Sequence, residues 1–244
     1  MLTSLVLSLL AASVILQVTV FSTTIYLHRT ATHRSVVLHP AIEVLFRIAL
    51  WLTTGIKTRE WVAVHRKHHA YTDKEGDPHS PLLAGFWSVQ LGNIFHYVRE
   101  ARKLDVQEKY ARDIEEDWWE RTIFRYGLLG PIVGLAMLSA IIGPGWAVLA
   151  GTIHGVTYIF VLSSSINGLC HYRGYKNFDN TATNIRSLAL ITAGEGLHNN
   201  HHAFQRSPKF SFKASEFDPA WSVIWLLTKL GLAQPYKMIE KSEL

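Results

Sequence analysis

Thirteen histidines occur in this 244-residue chain, and eight of them fall into three short boxes. His28 and His33 form H-x-x-x-x-H within HRTATH. His65, His68 and His69 form H-x-x-H-H within HRKHH, and His198, His201 and His202 repeat that spacing within HNNHH. Positions i, i+3 and i+4 share one narrow arc of a helix, so each H-x-x-H-H is expected to aim three imidazoles at one point. Neutral imidazole is a common ligand for iron, zinc and copper. His28 and His33 lie about 140° apart on an ideal helix and can converge only if the helix ends or bends there. Eight ligands exceed the four of an ordinary zinc site and suit two metals with open positions. No pair of E-x-x-H motifs appears, as a soluble di-iron bundle would require. The single cysteine, Cys170, excludes a disulfide framework and any Cys-based zinc or iron–sulfur site within the chain, and reads as packing.

The elements that must position these boxes follow from where charge is missing. Charged residues are only 18% of the chain against 48% hydrophobic, with a formal net charge of +5. Met1–Leu27 and Tyr126–Tyr172 contain no Asp, Glu, Lys or Arg. A bilayer core of about 30 Å takes roughly 20 apolar residues as a helix. This predicts an all-α integral membrane protein with about three transmembrane helices, near 2–27, 122–142 and 146–168, turning at Gly143-Pro144-Gly145. Met1–Leu27 lacks the basic start of a signal peptide and is expected to be retained. Arg29 and Arg34 after the first helix place residue 28 on the cytoplasmic side. Residues 28–121 and 169–244 then form a cytoplasmic cap where all three boxes can meet. Pro40–Gly55 carries Glu43 and Arg47 and is expected to be interfacial or re-entrant, since a crossing would separate boxes one and two. Leu82–Val98 and Ala220–Leu232 also read as interfacial. Arg99–Arg121 is a solvated charged stretch ending at the anchor Trp118-Trp119. His39 and His96 read as interfacial, and His154, midway along the third crossing, as a neutral imidazole bonded to a neighbouring helix.

With these segments the chain resembles the integral-membrane fatty acid desaturases, specifically the acyl-CoA (stearoyl-type, delta-9-like) branch. The resemblance rests on TTIYLHRTATHRS, REWVAVHRKHHAYTDKEGDPHSP, SINGLCHYRGYKNFD and GEGLHNNHHAF, and covers about residues 15–205. It implies one desaturase domain over 1–244 with two Fe2+ ions held by His28, His33, His65, His68, His69, His198, His201, His202 and a ninth ligand, His171. Asn167 would reach a metal through water. Carboxylates should orient the rings by accepting their other N–H, and Glu195, Asp73, Asp77 and Asp179 are placed to do so. His79, in DPH, matches no ligand. The implied reaction uses O2 to place a cis double bond in a fatty acyl chain, with electrons from a separate ferredoxin-like or cytochrome b5-like protein.

Departures bear on the substrate carrier. Animal acyl-CoA desaturases have an Arg-Asp pair before the first histidine of box two, where this chain has Ala63 and Val64. Acyl groups on membrane lipid therefore stand beside acyl-CoA as substrates. A basic cytoplasmic face with Lys67, Lys74, Arg102 and Lys103 offers a dock for an acidic donor. No nucleic-acid partner is expected, and in a bacterium the site would be the plasma (inner) membrane. Two other readings use the same boxes: a di-iron hydroxylase or ketolase acting on a lipid or alkane, and a His-rich membrane metal-binding or transport protein. The second should carry ionisable groups within its crossings, which these uncharged segments do not.

Overall fold

The computed structural model describes residues 1–236. Helix α1 (Leu2–Ser22) continues without interruption into a π-wound segment, Thr23–Thr32. Then come α2 (Pro40–Thr54), α3 (Thr58–Tyr71), α4 (Pro81–Ala84), α5 (Phe86–Ala101) and α6 (Leu104–Tyr110). Helices α7 (Leu129–Ile142) and α8 (Pro144–Val156) form a hairpin, and α8 runs on through a π segment, Thr157–Ser163, into α9 (Ser164–Asn167). Short helices α10 (Arg186–Ile191) and α11 (His198–Ala203) precede α12 (Pro219–Lys229). The expected 169–244 cap ends in residues 237–244, which lie outside the described residues.

Two continuous helical stretches, Leu2–Thr32 and Pro144–His171, are long and apolar enough to cross a bilayer. Both run further than the sequence places them, past 27 and past 168, and so carry box one and His171 on their ends. Residues 122–142 are not one helix. A π turn, Glu120–Phe124, is separated from the 14-residue α7. At 1.5 Å per residue α7 is about 21 Å long, short of a bilayer core.

Helix α1 is inside-out compared with a soluble helix. Ser8, Ala12, Thr19 and Ser22 are buried, while Leu5, Val6, Leu9, Leu10 and Val14 are exposed. Small residues let α1 approach α8 closely, at Ala147 and Ala150, and Ser8 Oγ donates to the Trp146 carbonyl at 2.9 Å. Contact with α2 is closer still on α7. A Cβ added at Gly130 would lie 2.0 Å from the Trp51 carbonyl oxygen, and one at Gly134 2.5 Å from that of Leu52.

Helix α2 therefore enters the bundle and turns back at Gly55, whose φ of +68° suits glycine. It does not separate the boxes, because His33 before it and His65 after it meet. Exposed Trp87, Leu91 and Phe95 form a stripe along α5, and Trp225 and Leu226 stand out from α12. One feature departs from an all-α design: strand β1 (Val36–Leu38) pairs antiparallel with β2 (Ala233–Pro235). This ties the segment just after box one to the region after α12.

Gly130→Val should lower the stability of the detergent-solubilised protein by about 3 kcal/mol, since overpacking against backbone leaves no side chain to yield. Thermal unfolding checks this, and an unchanged midpoint would mean that α2 and α7 are not packed as described.

Candidate metal centre

The π winding explains how H-x-x-x-x-H converges. An i→i+5 ladder brings residues five apart onto one face. The His33 amide donates to the His28 carbonyl at 3.1 Å, and the Thr30 and Thr32 hydroxyls donate to the carbonyls five residues back. His28 and His33 come out with ring centroids 4.9 Å apart.

The histidines form two groups. His28, His33, His65, His69 and His201 offer ring nitrogens that all lie within 4.8 Å of one another. His68, His171, His198 and His202 do the same. Each H-x-x-H-H was expected to aim at one point, and here the structure corrects the expectation. In box two the i, i+4 pair His65 and His69 joins the first group while His68 joins the second. In box three the pair His198 and His202 joins the second while His201 joins the first. The three rings of a box fan across enough of the helix face to reach two adjacent points.

Buried carboxylates fix which nitrogen of several rings faces inward. His28 Nδ1 donates to Glu195 at 2.7 Å, His68 Nδ1 to Asp77 at 3.0 Å and His171 Nδ1 to Asp73 at 2.8 Å. Each bond leaves a lone pair on Nε2. Burial raises the pKa of Glu195 and Asp77, but nearby cationic and hydrogen-bonding groups outweigh it and both carboxyls sit below their ordinary range: His28, Arg29 and Thr24 at Glu195, His68 and His79 at Asp77. Asp179 does not join these three. It is exposed. Burial, then repulsion among the rings, holds His33, His65, His69, His198, His201 and His202 well below the usual histidine range.

Box three is seated by its two asparagines. Asn199 Oδ1 accepts from the Asn177 and Phe178 amides at 2.7 and 2.9 Å. Asn200 Nδ2 donates to Glu216 and to the Phe210 carbonyl, both at 2.9 Å. Box one is seated by Arg29, fully buried, which pairs with Asp218 at 2.9 Å, lies 3.7 Å above the Phe210 ring and bonds Thr24. None of these roles shows in the spacing of the histidines. The DPH histidine, matched to no ligand by the resemblance, also lies against the second group, beside His68. His79 is buried, stacks on His68 at 4.7 Å, and has both nitrogens unpartnered among the described residues. Asp77, two residues before it and bonded to its amide, was the available signal.

The donor set fits a pair of metal ions. Neighbouring Nε2 atoms of the first group stand 2.9–3.2 Å apart, as in His28–His201, His65–His69 and His33–His65. Ligands at about 2.1 Å from one ion and at right angles to each other would be about 3 Å apart. The Nε2 atoms of His68 and His171 are buried with no hydrogen-bond partner among the described residues. Asn167 Nδ2 instead donates to Asn93 Oδ1 at 3.0 Å.

A cavity of about 420 Å³ opens beside the first group. His28, His65, His79, Glu195 and Asn167 line one end, and Pro131, Gly151, Gly155 and Thr53 the other, between α2, α7 and α8. Val64 lines it too, and Ala63 packs against Val106 and Ala111, so neither faces solvent.

Comparison with known proteins agrees with this architecture. The fatty acid desaturase family model matches residues 4–213. The chain is 33% identical to an acyl-CoA C20 Delta5-desaturase of Anemone leveillei, over 90% of this chain and 70% of that one. It is also 33% identical to an sn-1 stearoyl-lipid 9-desaturase of Anabaena variabilis, over 90% of this chain and 80% of that one. The delta-9 desaturase-like 2 protein of Arabidopsis thaliana is 33% identical over 86% and 70%. The chain belongs to the fatty acid desaturase family, and it is an enzyme of fatty acyl desaturation.

Two predictions follow from the buried rings. Asp77→Ala should weaken metal retention about 10–100-fold, because His68 loses the acceptor that fixes its tautomer; metal analysis after graded chelation reads this. The metal-free protein should lose stability as pH falls below about 6.5. The unfolded histidines bind protons there and the six depressed ones do not, so stability is full above the unfolded pKa. Each contributes a slope approaching about 1.4 kcal/mol per pH unit. A flat unfolding midpoint between pH 7 and 5.5 would contradict the burial of these rings.

Proposed function

We propose that this chain is a membrane-bound di-iron desaturase that introduces a cis double bond into a fatty acyl chain. The observation that carries the proposal is the largely apolar cavity that His28 and His65 of the first histidine group line and that runs on between α2, α7 and α8. His28, His33, His65, His69 and His201 would hold one iron, and His68, His171, His198 and His202 the other, with Asn167 reaching the second through water. Iron so held supplies O2 activation and cleavage of unactivated C–H bonds. In the balance, two hydrogens leave adjacent methylenes, O2 is reduced to two waters, and two further electrons and two protons come from outside.

The protein's own part is positioning. The cavity walls fix which methylene pair lies beside the histidines, and a misplacement of about 1 Å costs about 10²-fold in rate. Glu195, Asp73 and Asp77 keep three rings turned inward. The electron donor is a separate ferredoxin-like or cytochrome b5-like protein. We place the centre on the cytoplasmic side of the membrane, the inner membrane in a bacterium, with the chain forming a single domain. Burial of Ala63 and Val64 leaves no charged pair at that position for a CoA carrier. This supports acyl groups already esterified in membrane lipid, the substrates named for the Anabaena variabilis relative.

The test is mass spectrometry of total lipids from a host expressing the chain with a compatible reductant system. New monoenes should appear in the lipid fraction and vanish in a membrane-inserted His201→Ala variant. Hydroxy or keto lipids in their place would reassign the chain to oxygen insertion.

A further inference from the structure

We propose that the deep end of the cavity is built to receive a hydroxyl group near the methyl end of the acyl chain, so that hydroxylated chains are preferred substrates. The inference rests on the cavity being the acyl site. It starts from His154, which lines the cavity and is 6% exposed. Its Nε2 donates to the Thr53 carbonyl at 3.1 Å. A carbonyl only accepts, so the ring proton is on Nε2 and Nδ1 keeps its lone pair. That Nδ1 is buried and has no partner among the described residues.

Tyr97 lines the same cavity, and its hydroxyl is also buried and unpartnered among the described residues. Tyr158 stacks on His154 at 6.0 Å, and its hydroxyl is already bonded to Thr23. His154 offers a free acceptor and Tyr97 a free phenol on the same cavity wall, and a neutral hydroxyl can donate to the first or bond the second. A ketone offers His154 no proton. A carboxylate would be costly to bury here, since no Lys or Arg lines the cavity.

Position sets where on the chain the hydroxyl must be. From His154 to Asn167, at the metal end, there is up to about 20 Å of helix rise. The hydroxyl therefore lies well beyond the carbons that are oxidised, toward the methyl terminus. A plain hydrocarbon end at this depth leaves both polar atoms unpaired, or displaces water that had paired them, and either loses affinity. Sites that hydrogen-bond a substrate hydroxyl discriminate against analogues lacking it more sharply than apolar pockets discriminate on size.

The experiment uses the full chain, iron-loaded and supplied with an electron donor in lipid nanodiscs. Octadecanoyl and terminally hydroxylated octadecanoyl chains on the same carrier compete in one reaction. The expected result is a kcat/KM ratio of about tenfold in favour of the hydroxylated chain. It should fall toward parity in His154→Phe and in Tyr97→Phe. The tyrosine variant loses no protein hydrogen bond, so its fold is not at risk from the change. Equal turnover of the two chains by the native protein, or a preference that survives in both variants, would overturn the inference while leaving the desaturase reading intact. Failure to form a monoene from either chain would bring down both.

Discussion

Everything at this centre depends on a change of helical winding. A regular α-helix through Thr23–Thr32 would throw His28 and His33 to different sides, and the first histidine group would be incomplete. The i→i+5 ladder costs hydrogen-bond quality, and the Thr30 and Thr32 hydroxyls support it by bonding the carbonyls five residues back. The same device recurs at Thr157–Ser163, on the second long helix, before it delivers His171. Both long helices are thus regular along their exposed apolar lengths and rewound where they approach the histidines.

Gathering nine imidazoles into a dry volume raises a second constraint. Burial favours the neutral ring, which is also the ligand form, so desolvation and ligation act in the same direction. Neutrality alone leaves the choice of nitrogen open. Asp73, Asp77 and Glu195 settle it for three rings by accepting from Nδ1. Glu195 serves twice, since Arg29 also approaches it at 3.4 Å. The carboxylate that orients His28 is thereby part of the network that seats box one.

Much of the site was legible because ligand chemistry leaves a dense signature. The three boxes, the uncharged helices and the separation of charge into two segments were all readable from residue types and spacing. What was not readable depends on geometry that spacing does not encode. A period of 3.6 predicts three rings at one point, whereas two neighbouring points share each box. Hydropathy places the second crossing at 122–142, but packing breaks it before Leu129 and gives α7 a groove for α2 instead. Asp179 lies near His171 in sequence and still faces solvent. Conversely, Asn199 and Asn200 look like spacers between histidines, and they anchor the whole of α11.

The pairing of Arg29 with Asp218 spans 189 residues, and β1 with β2 joins still more distant segments. At 5–20 residues per second, synthesis leaves box one without these partners for about 10–40 s. Until Glu195 and then Asp218 have been made, the Arg29 guanidinium lacks its buried counter-charges. The order of manufacture thus imposes an order of maturation. The long apolar helices can form as they emerge, while Arg29 meets Asp218 only once the start of α12 has docked. A chain interrupted before Asp218 would hold all nine histidines and still lack the partner that seats Arg29 of box one.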